Sequence, residues 1–529
     1  MNYSMKYNHG SCDILLIGYE DDENLGLRYI AAFLESRNIR VKIIPYRQSA
    51  LVPVLRSIKK ENPRLVGFSL IFQRMVNDFG RLIGYLRQRG VDTHFTMGGH
   101  YPTIRYREVL ENIPGLDTIV RHEGEETLLD LYQNVGDPGR WHTIPGIAYR
   151  DGGEIVATPP RHLITDLDSL PFPVRAKKPR AFLGLGMASI LTSRGCSHDC
   201  SFCSIRRFYS GAPGPLRRSR TPSNVIRELS GLYQKGIRIF NFRDDDFSMK
   251  GRSRVRWIQE FSDGLTRNGL ADKIVWRISC RADEVDADRM EQLMAAGLGF
   301  LYLGIESGCN QGLTTCNKHY SERDVASTLG VIEKAGLSFD YGFMLLDPDT
   351  TFDSVRRNLK FFRILGKRGR VIVHFTKMLP YAGTPVEARL IREGRFYGPP
   401  SSPNYKYVDQ RISLLERFID QSFSGMLFDP RGLVYKFQYA QFSAVVLDRF
   451  FQDFCDTRSF GNSVRMLTEE CNASVIRTLE NAVKFMQHSE YPEICRDWDY
   501  LEELTGNELA TQARILPDLD YLISAGMLS

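Results

Sequence analysis

Three cysteines in one short stretch offer the most distinctive chemistry of this sequence. Cys196, Cys200 and Cys203 stand in a C-x3-C-x2-C arrangement directly after the apolar run 187–191. Thiolates spaced this closely can fold around one iron–sulfur cluster, with each sulfur on a different iron. A 4Fe–4S cube holds one iron more than three cysteines can bind. The spacing therefore predicts a cluster with one open iron, where a small molecule can bind and be reduced.

Two other interpretations of the cysteines are open. A structural zinc site takes four ligands, often two C-x2-C pairs or Cys/His combinations. His198 could complete such a set, but it lies between two of the cysteines, which makes poor tetrahedral geometry. The remaining alternative is that the three cysteines are grouped by chance.

The triad, with Phe202 directly before its last cysteine, resembles the signature of radical SAM enzymes. The resemblance implies that the open iron binds the amino and carboxylate groups of S-adenosylmethionine (SAM). It also implies that Phe202 lies against the adenine ring. A cluster of this kind needs an external electron donor of the flavodoxin or ferredoxin type.

Polar residues recur at the ends of the strands predicted downstream of the triad. Asp244 and Asp245 follow the second strand, and in the resembling group an acidic pair here holds the SAM ammonium. Arg281 ends the third strand and could pair with the SAM carboxylate, because a guanidinium matches that group in a fork. Glu306 ends the fourth strand, where a carboxylate can accept hydrogen bonds from ribose hydroxyls.

The first part of the chain alternates short apolar runs with segments of helical spacing, which predicts a doubly wound α/β domain. Such sheets bind ligands at the carboxyl ends of their strands. The motifs 24–30, 66–69, 97–100 and 122–125 resemble the cobalamin (B12)-binding domain found ahead of the barrel in one large radical SAM group. The resemblance implies cobalamin contacts at Ser69, Gly98, Gly99, His100, Glu123 and Gly124.

The first strand is not followed by Asp-x-His-x-x-Gly, the motif that gives cobalt a histidine from below. We therefore expect the dimethylbenzimidazole off the metal, with no protein histidine in its place. A degenerate Rossmann domain that only docks a partner is the alternative. A dinucleotide site is disfavoured, because no G-x-G-x-x-G follows the first strand.

The predicted fold class is α/β with four segments. A Rossmann-like cobalamin-binding domain spans 10–136, a linker with a small hairpin spans 137–182, a partial (β/α)6 radical SAM barrel spans 183–395 and a mainly helical domain spans 400–529. The six barrel strands are predicted at 188–192, 237–242, 274–279, 300–305, 339–345 and 371–378. Ligands of such a barrel bind at the carboxyl ends of its strands.

Composition restricts the possible classes of protein. A chain of 529 residues exceeds one ordinary domain. A net charge of +6 is mild for this length and does not indicate a nucleic-acid partner. No apolar run reaches the roughly 18 residues of a membrane span, and the polar start lacks a secretory signal. The ten cysteines do not form a disulfide pattern, so we expect a reducing, cytoplasmic location.

Together the resemblances imply C-methylation of an unactivated carbon in a small molecule, a specialised metabolite, a pigment or a lipid. In such enzymes the reduced cluster cleaves SAM to a 5′-deoxyadenosyl radical, which removes hydrogen from the substrate. Methylcobalamin then passes its methyl group to the substrate radical.

Three other functions are weighed against methylation. A cobalamin-dependent cyclisation, rearrangement or oxidation would use the same cofactors without methyl transfer. A non-catalytic iron–sulfur scaffold is disfavoured by the acidic pair and Glu306. A methylthiolating relative is disfavoured because the C-terminal segment has helical spacing and does not read as a small β module.

Overall fold

The structure, a computed structural model, describes residues 12–20, 22–48, 50–454 and 456–528. It contains an N-terminal α/β region, a partial barrel and a C-terminal group of helices, so the predicted fold class is confirmed. Among the helices described, none is both long enough and apolar enough to cross a membrane.

The N-terminal region is built on one seven-stranded sheet with helices on both faces. Its strands are β1 (Ile14–Tyr19), β2 (Val41–Tyr46), β3 (Leu65–Ser69), β4 (His94–Gly98), β5 (Thr118–Val120), β6 (Ile147–Asp151) and β7 (Glu154–Ala157). Its helices are α1 (Leu25–Glu35), α2 (Leu51–Glu61), α3 (Val76–Gln88), α4 (His100–Ile104), α5 (Tyr106–Asn112) and α6 (Glu125–Gln133). The central strands β1 and β3 are almost wholly buried, as continuous apolar runs covered on both faces must be.

The strand order of this sheet is β2-β1-β3-β4-β5-β6-β7. The first five strands pair in parallel, so their carboxyl ends meet at one edge. The hairpin β6–β7, which the sequence places in the linker, pairs antiparallel with β5 and continues the sheet.

The barrel region is a second seven-stranded sheet, of order β16-β15-β14-β13-β12-β9-β8. The strands of this region, including a separate pair β10–β11, are β8 (Arg180–Phe182), β9 (Leu185–Ile190), β10 (Ser193–Arg194), β11 (Arg218–Ser219), β12 (Ile237–Phe242), β13 (Val275–Arg281), β14 (Leu298–Glu306), β15 (Ser338–Leu346) and β16 (Thr376–Lys377). The helices are α7 (Ile205–Ser210), α8 (Pro222–Gln234), α9 (Arg252–Arg267), α10 (Ala287–Ala295), α11 (Asn310–Thr315), α12 (Glu322–Ala335), α13 (Phe352–Leu365) and α14 (Pro385–Arg392).

The sixth predicted strand, 371–378, is shorter than expected, because only Thr376–Lys377 pairs with β15. The backbone before it bonds elsewhere. Asn472 accepts from the Val373 N–H at 2.7 Å and donates to the Val371 carbonyl at 2.9 Å. A side chain from the C-terminal helices therefore takes the place of a strand neighbour.

The C-terminal region is helical after a short hairpin. Its elements are β17 (Phe396–Tyr397), β18 (Asn404–Tyr405), α15 (Arg411–Phe428), α16 (Leu433–Phe450), α17 (Thr457–Gln487), α18 (Tyr491–Arg496) and α19 (Trp498–Leu528). Phe442 and Val446 of α16 pack against Val275 and Phe300 of the barrel strands. Because side chains alternate along a strand, this contact marks the inner face of the half-barrel, which α16 closes at the amino ends of its strands.

We expect Asn472→Leu to destabilise the contact between α17 and the barrel. The variant leaves the Val373 N–H and the carbonyls of Val371 and Gly366 without their partner, and each buried unpaired group typically costs about 1–3 kcal/mol. The midpoint of denaturant unfolding should fall clearly. Met466→Leu, on the exposed side of the same helix, is the control and should leave it unchanged. Equal midpoints for the two variants would contradict the assignment.

Candidate functional site

The cysteine loop begins at a glycine that the sequence prediction did not single out. Gly195 follows β10 with φ +83°, and a Cβ there would lie 1.8 Å from the Leu216 carbonyl oxygen. Its N–H donates to Asp245 Oδ2 at 2.8 Å. Only glycine fits this turn, and the turn directs the chain into the segment that carries Cys196.

Cys196, Cys200 and Cys203 lie half-buried in this loop with their thiols free. Burial raises the pKa of the Cys196 thiol to about 11 and that of Cys203 to about 12. Neutral thiols are thus favoured here unless a bound metal stabilises the thiolates. Three thiols in one loop are donors suited to an iron–sulfur cluster.

The residues of the zinc alternative also lie close together. The ligand atoms of Cys196, His198 and Asp246 are all within 4.8 Å of one another. His198 has another partner, because its Nε2 lies 3.1 Å from Glu284 Oε1. The imidazole is therefore held by a carboxylate next to the cysteine loop.

The two aspartates of the predicted acidic pair have different environments. Asp244 is buried and accepts hydrogen bonds from Thr192 N, Thr192 Oγ1 and Ser193 Oγ, which ties it to the end of β9. Asp245 receives one described hydrogen bond, from Gly195 N, and its carboxylate is open to a cavity. Burial raises the pKa of Asp245 to about 6. Of the pair, Asp245 is the residue available to a ligand.

Lys318 lies between two residues that the resemblance assigns to SAM, Glu306 and Phe202. It is 2% exposed, its Nζ donates to Glu306 Oε1 at 3.0 Å, and its Nζ lies 5.5 Å from the centroid of the Phe202 ring. Burial opposes its charge, but the attraction of Glu306 outweighs burial and raises the pKa of Lys318. Glu306 itself has φ +66°, a strained conformation that occurs preferentially at functional sites.

Arg281 connects this group to the cysteines. Its Nη1 lies 3.2 Å from Cys200 Sγ, and its Nη2 donates to the Lys318 carbonyl. Its Nε and Nη2 also bond Asp283, at 2.9 and 3.1 Å. The fork that the sequence assigns to the SAM carboxylate is thus occupied by Asp283, while Nη1 points at the cysteine loop.

A cavity of about 520 Å³ lies between the carboxyl ends of the N-terminal strands and the barrel. All six positions predicted for cobalamin line it, namely Ser69, Gly98, Gly99, His100, Glu123 and Gly124. The barrel side contributes Leu191, Ser193, Arg194, Phe208, Tyr209, Arg243 and Asp245. The two sets of predicted residues therefore meet at Asp245, whereas the three cysteines are not part of the cavity wall.

The floor of the cavity suits a flat macrocycle. Gly99 has φ +115°, and a Cβ there would lie 2.3 Å from the Leu70 carbonyl oxygen. With Gly98 and Gly124 it leaves the strand ends without side chains, so a large ring can approach the backbone. The residues present thus fit a corrin.

Two imidazoles also face the cavity. The rings of His100 and Phe208 pack against each other with centroids 4.4 Å apart and planes tilted by 31°. His122 Nδ1 lies 2.8 Å from the Phe208 carbonyl oxygen. Burial lowers the pKa of each to about 4, so both are neutral near pH 7. The expectation that no histidine binds cobalt stays a prediction.

Glu123 joins the N-terminal region to the barrel. Its Oε1 pairs with Arg194 at 3.0 Å and its Oε2 with Arg218 at 2.8 Å, while the Ile164 N–H donates to Oε2 at 2.7 Å. Glu125 binds the second nitrogen of Arg194 at 2.6 Å. Burial alone would raise the pKa of Glu123, but the two guanidinium groups hold it below its usual range. The resemblance implies a cobalamin contact for Glu123, but it does not predict these ion pairs with the barrel arginines.

Two family models match the chain. The B12 binding domain matches residues 18–132, and the radical SAM superfamily matches residues 190–362. Together with the fold, these matches place the chain in the cobalamin-dependent radical SAM enzymes. The expected cofactors, cobalamin, SAM and a 4Fe–4S cluster, are those of the two domains and are confirmed.

Curated relatives cover different shares of the chain. It is 27% identical over 366 residues to an uncharacterised methyltransferase of Pyrococcus horikoshii, spanning 68% of this chain and 76% of that protein. It is 25% identical over 431 residues to the hopanoid C-3 methylase of Methylococcus capsulatus, spanning 78% and 76%. It is 30% identical over 267 residues to the anaerobic magnesium-protoporphyrin IX monomethyl ester cyclase of Cereibacter sphaeroides, spanning 48% and only 42%.

Solved structures of one enzyme share the architecture over nearly the whole chain. The cobalamin-dependent SAM radical enzyme OxsB, solved with aqua-cobalamin and SAM bound, superposes with a TM-score of 0.69 at 15% identity, covering 98% of this chain and 81% of that one. The likeness therefore extends through the C-terminal helices and concerns the fold.

The cysteine assignment leads to a direct prediction. Changing Cys196, Cys200 or Cys203 to Ala should abolish the cluster in anaerobically reconstituted protein, because each supplies one thiolate. Iron and sulfide analysis with visible absorption measures the loss. Cys495→Ala, at an exposed cysteine of the C-terminal helices, is the control and should keep full content. Near-normal iron and sulfide in any triad variant would refute the cluster site.

Proposed function

We propose that this enzyme transfers a methyl group to an unactivated carbon of a small molecule, a specialised metabolite, a pigment or a lipid. The observation that carries the proposal is that Asp245 of the barrel faces the same cavity as all six positions predicted for cobalamin. A ligand held by Asp245 and a corrin on the glycine floor would share one space. Methyl transfer between two cofactors and a substrate needs such proximity.

The chain's own residues would bind and orient the reactants. We infer that Asp245 receives the SAM ammonium and that Phe202 lies against the adenine. Glu306 is held through Oε1 by Lys318, so its Oε2 faces no described donor and can accept from a ribose hydroxyl. Arg281, fixed by Asp283, directs its Nη1 towards the cysteine loop and the carboxylate of a SAM bound there.

The cavity wall supplies the environment. Leu191, Phe208 and Tyr209 present apolar surface on the barrel side, which keeps water away from reactive species. When bound, the cofactors supply the methyl-transfer and radical chemistry, and the protein contributes orientation and electrostatics. An external flavodoxin- or ferredoxin-type protein is the proposed source of the electron.

The names of relatives support methylation and also keep one alternative open. The methyltransferase and the hopanoid methylase each match about three quarters of their own length. The cyclase, at 30% identity, favours a second candidate: cyclisation, rearrangement or oxidation with the same cofactors and no methyl transfer. The fate of SAM separates the two candidates.

Methylation predicts the consumption of two SAM molecules per product. One ends as S-adenosylhomocysteine after giving its methyl group, and the other ends as 5′-deoxyadenosine and methionine. With methyl-deuterated SAM and a small-molecule extract of the source cells, mass spectrometry should find one labelled product and near-equal amounts of the two nucleosides. Steady 5′-deoxyadenosine with no S-adenosylhomocysteine would instead favour the cyclase-type reaction.

Glu306→Gln should lower both nucleoside yields while cobalamin stays bound. Gln keeps an acceptor oxygen but removes the charge. A hydrogen bond to a charged group is typically worth about 1.5–3 kcal/mol, so losing the charge should cost up to roughly one to two decades in SAM affinity. Glu291→Gln, an exposed position on α10, is the matched control and should behave as the parent protein. Equal SAM affinity in the two variants would remove Glu306 from the SAM site.

A further inference from the structure

The inside of the half-barrel carries a polar layer directly above its apolar floor. The floor consists of Val275, Phe300 and the α16 side chains packed on them. Two residues further along their strands, on the same inner face, lie Arg277 and Tyr302. Arg277 is the register partner of Phe300, and Tyr302 lies one step further along, as the register partner of Ser279 and Asp340. The layer therefore lies between the α16 plug and the strand ends that hold the proposed SAM residues.

The Arg277 side chain has no hydrogen bond or ion pair within the parts of the chain that the structure describes, although it is half-buried. Neighbouring arginines are paired. Arg243 and Arg180 both bind Asp22, at 2.6 and 2.8 Å. Arg281 binds Asp283 at 2.9 Å. A guanidinium in a barrel interior with no partner is set to bind an incoming anion, because burying it unpaired is costly.

The acidic residue of the layer is already occupied. Asp340 Oδ1 lies 2.8 Å from His374 Nε2, and Asp340 Oδ2 accepts from Gln438 Nε2 of α16 at 2.9 Å. Both of its oxygens are thus used. Burial and repulsion from Arg243 lower the pKa of Arg277, and the attraction of Asp22 and Asp340 does not restore it. Burial is the main cause, and the two carboxylates that attract Arg277, Asp22 and Asp340, are hydrogen-bonded to other side chains.

Open space lies beside Tyr302, on the strand next to the one that carries Arg277. Tyr302 is 42% exposed although it stands in the middle of a central strand. Its Oη and Glu306 Oε2 lie 2.7 and 3.5 Å from the position that a Cβ on Gly342 would take. A ligand that reached Arg277 would pass Tyr302 and lie beside the carboxylate proposed for the SAM ribose.

We propose that Arg277 binds an anionic oxygen group of the substrate, a carboxylate or a phosphate, with the Tyr302 hydroxyl as a second donor. The inference rests on the proposed function and narrows its substrate class to anionic molecules. A guanidinium fork suits both groups, because each presents two oxygens in one plane. The anion would anchor the substrate near the α16 plug, and the rest of the molecule would extend towards the carboxyl ends of the strands.

The test is a chemical footprint of arginines on the full-length reconstituted protein. Phenylglyoxal modifies accessible guanidinium groups, and peptide mass spectrometry reads each position separately. The reaction is run in chloride, in inorganic phosphate and in acetate at equal ionic strength. At about ten times the dissociation constant of an anion, occupancy should lower the modification rate of Arg277 about tenfold. Arg323, exposed on α12, is the internal control and should react equally in all three salts.

Protection of Arg277 by phosphate alone indicates a phosphorylated substrate, and protection by acetate indicates a carboxylate. Arg277→Lys keeps the charge but removes the guanidinium fork. It should therefore lose the thermal stabilisation that the anion gives the parent protein, with unchanged cluster content. Arg277 that reacts equally in all salts, or that does not react at all, overturns the proposal. No outcome depends on methyl transfer, so failure here is distinct from failure of the proposed function.

Discussion

The buried ion group around Glu123 is the interaction on which the site depends. Glu123 is 7% exposed and binds Arg194, whose side chain is 10% exposed, as well as Arg218. Both arginines belong to the barrel region, so one carboxylate fixes the N-terminal sheet against it. Breaking a buried pair by removing one partner typically costs about 3–5 kcal/mol, because the other charge stays buried. The arrangement is thus strongly specified.

The same residues connect the two cofactor positions. Arg194 is followed by Gly195, whose N–H binds Asp245, and then by Cys196, the first residue of the triad. Asp245 in turn lines the cavity from the barrel side, and Glu123 lines it from the N-terminal region. A short path of contacts therefore runs from the glycine floor to the cysteine loop.

Much of this architecture could be predicted from the sequence because its signals are local. Apolar runs identify β1 and β3, the C-x3-C-x2-C spacing identifies the loop after β9, and the glycine motifs identify the strand ends that line the cavity. Each signal lies within a few neighbouring residues. Such features survive without knowledge of the tertiary fold.

The parts that could not be predicted depend on distant partners. Asp244 and Asp245 look alike in sequence, and only the contacts of Asp244 with Thr192 and Ser193 separate them. The strand expected at 371–378 is short because Asn472, about a hundred residues away, bonds its backbone. The unpaired side chain of Arg277 is likewise a tertiary feature, because the carboxylates that attract it, Asp22 and Asp340, bind side chains from other segments.

The central claim is that cobalamin and the cluster lie on two sides of one cavity wall. Electron paramagnetic resonance tests this claim most directly. Full-length protein holding both cob(II)alamin and the reduced cluster should show signals split or broadened by magnetic coupling between the two spins. The Cys200→Ala variant, which should lack the cluster, supplies the uncoupled cob(II)alamin spectrum. Two independent signals that add without coupling in the parent protein would contradict the account.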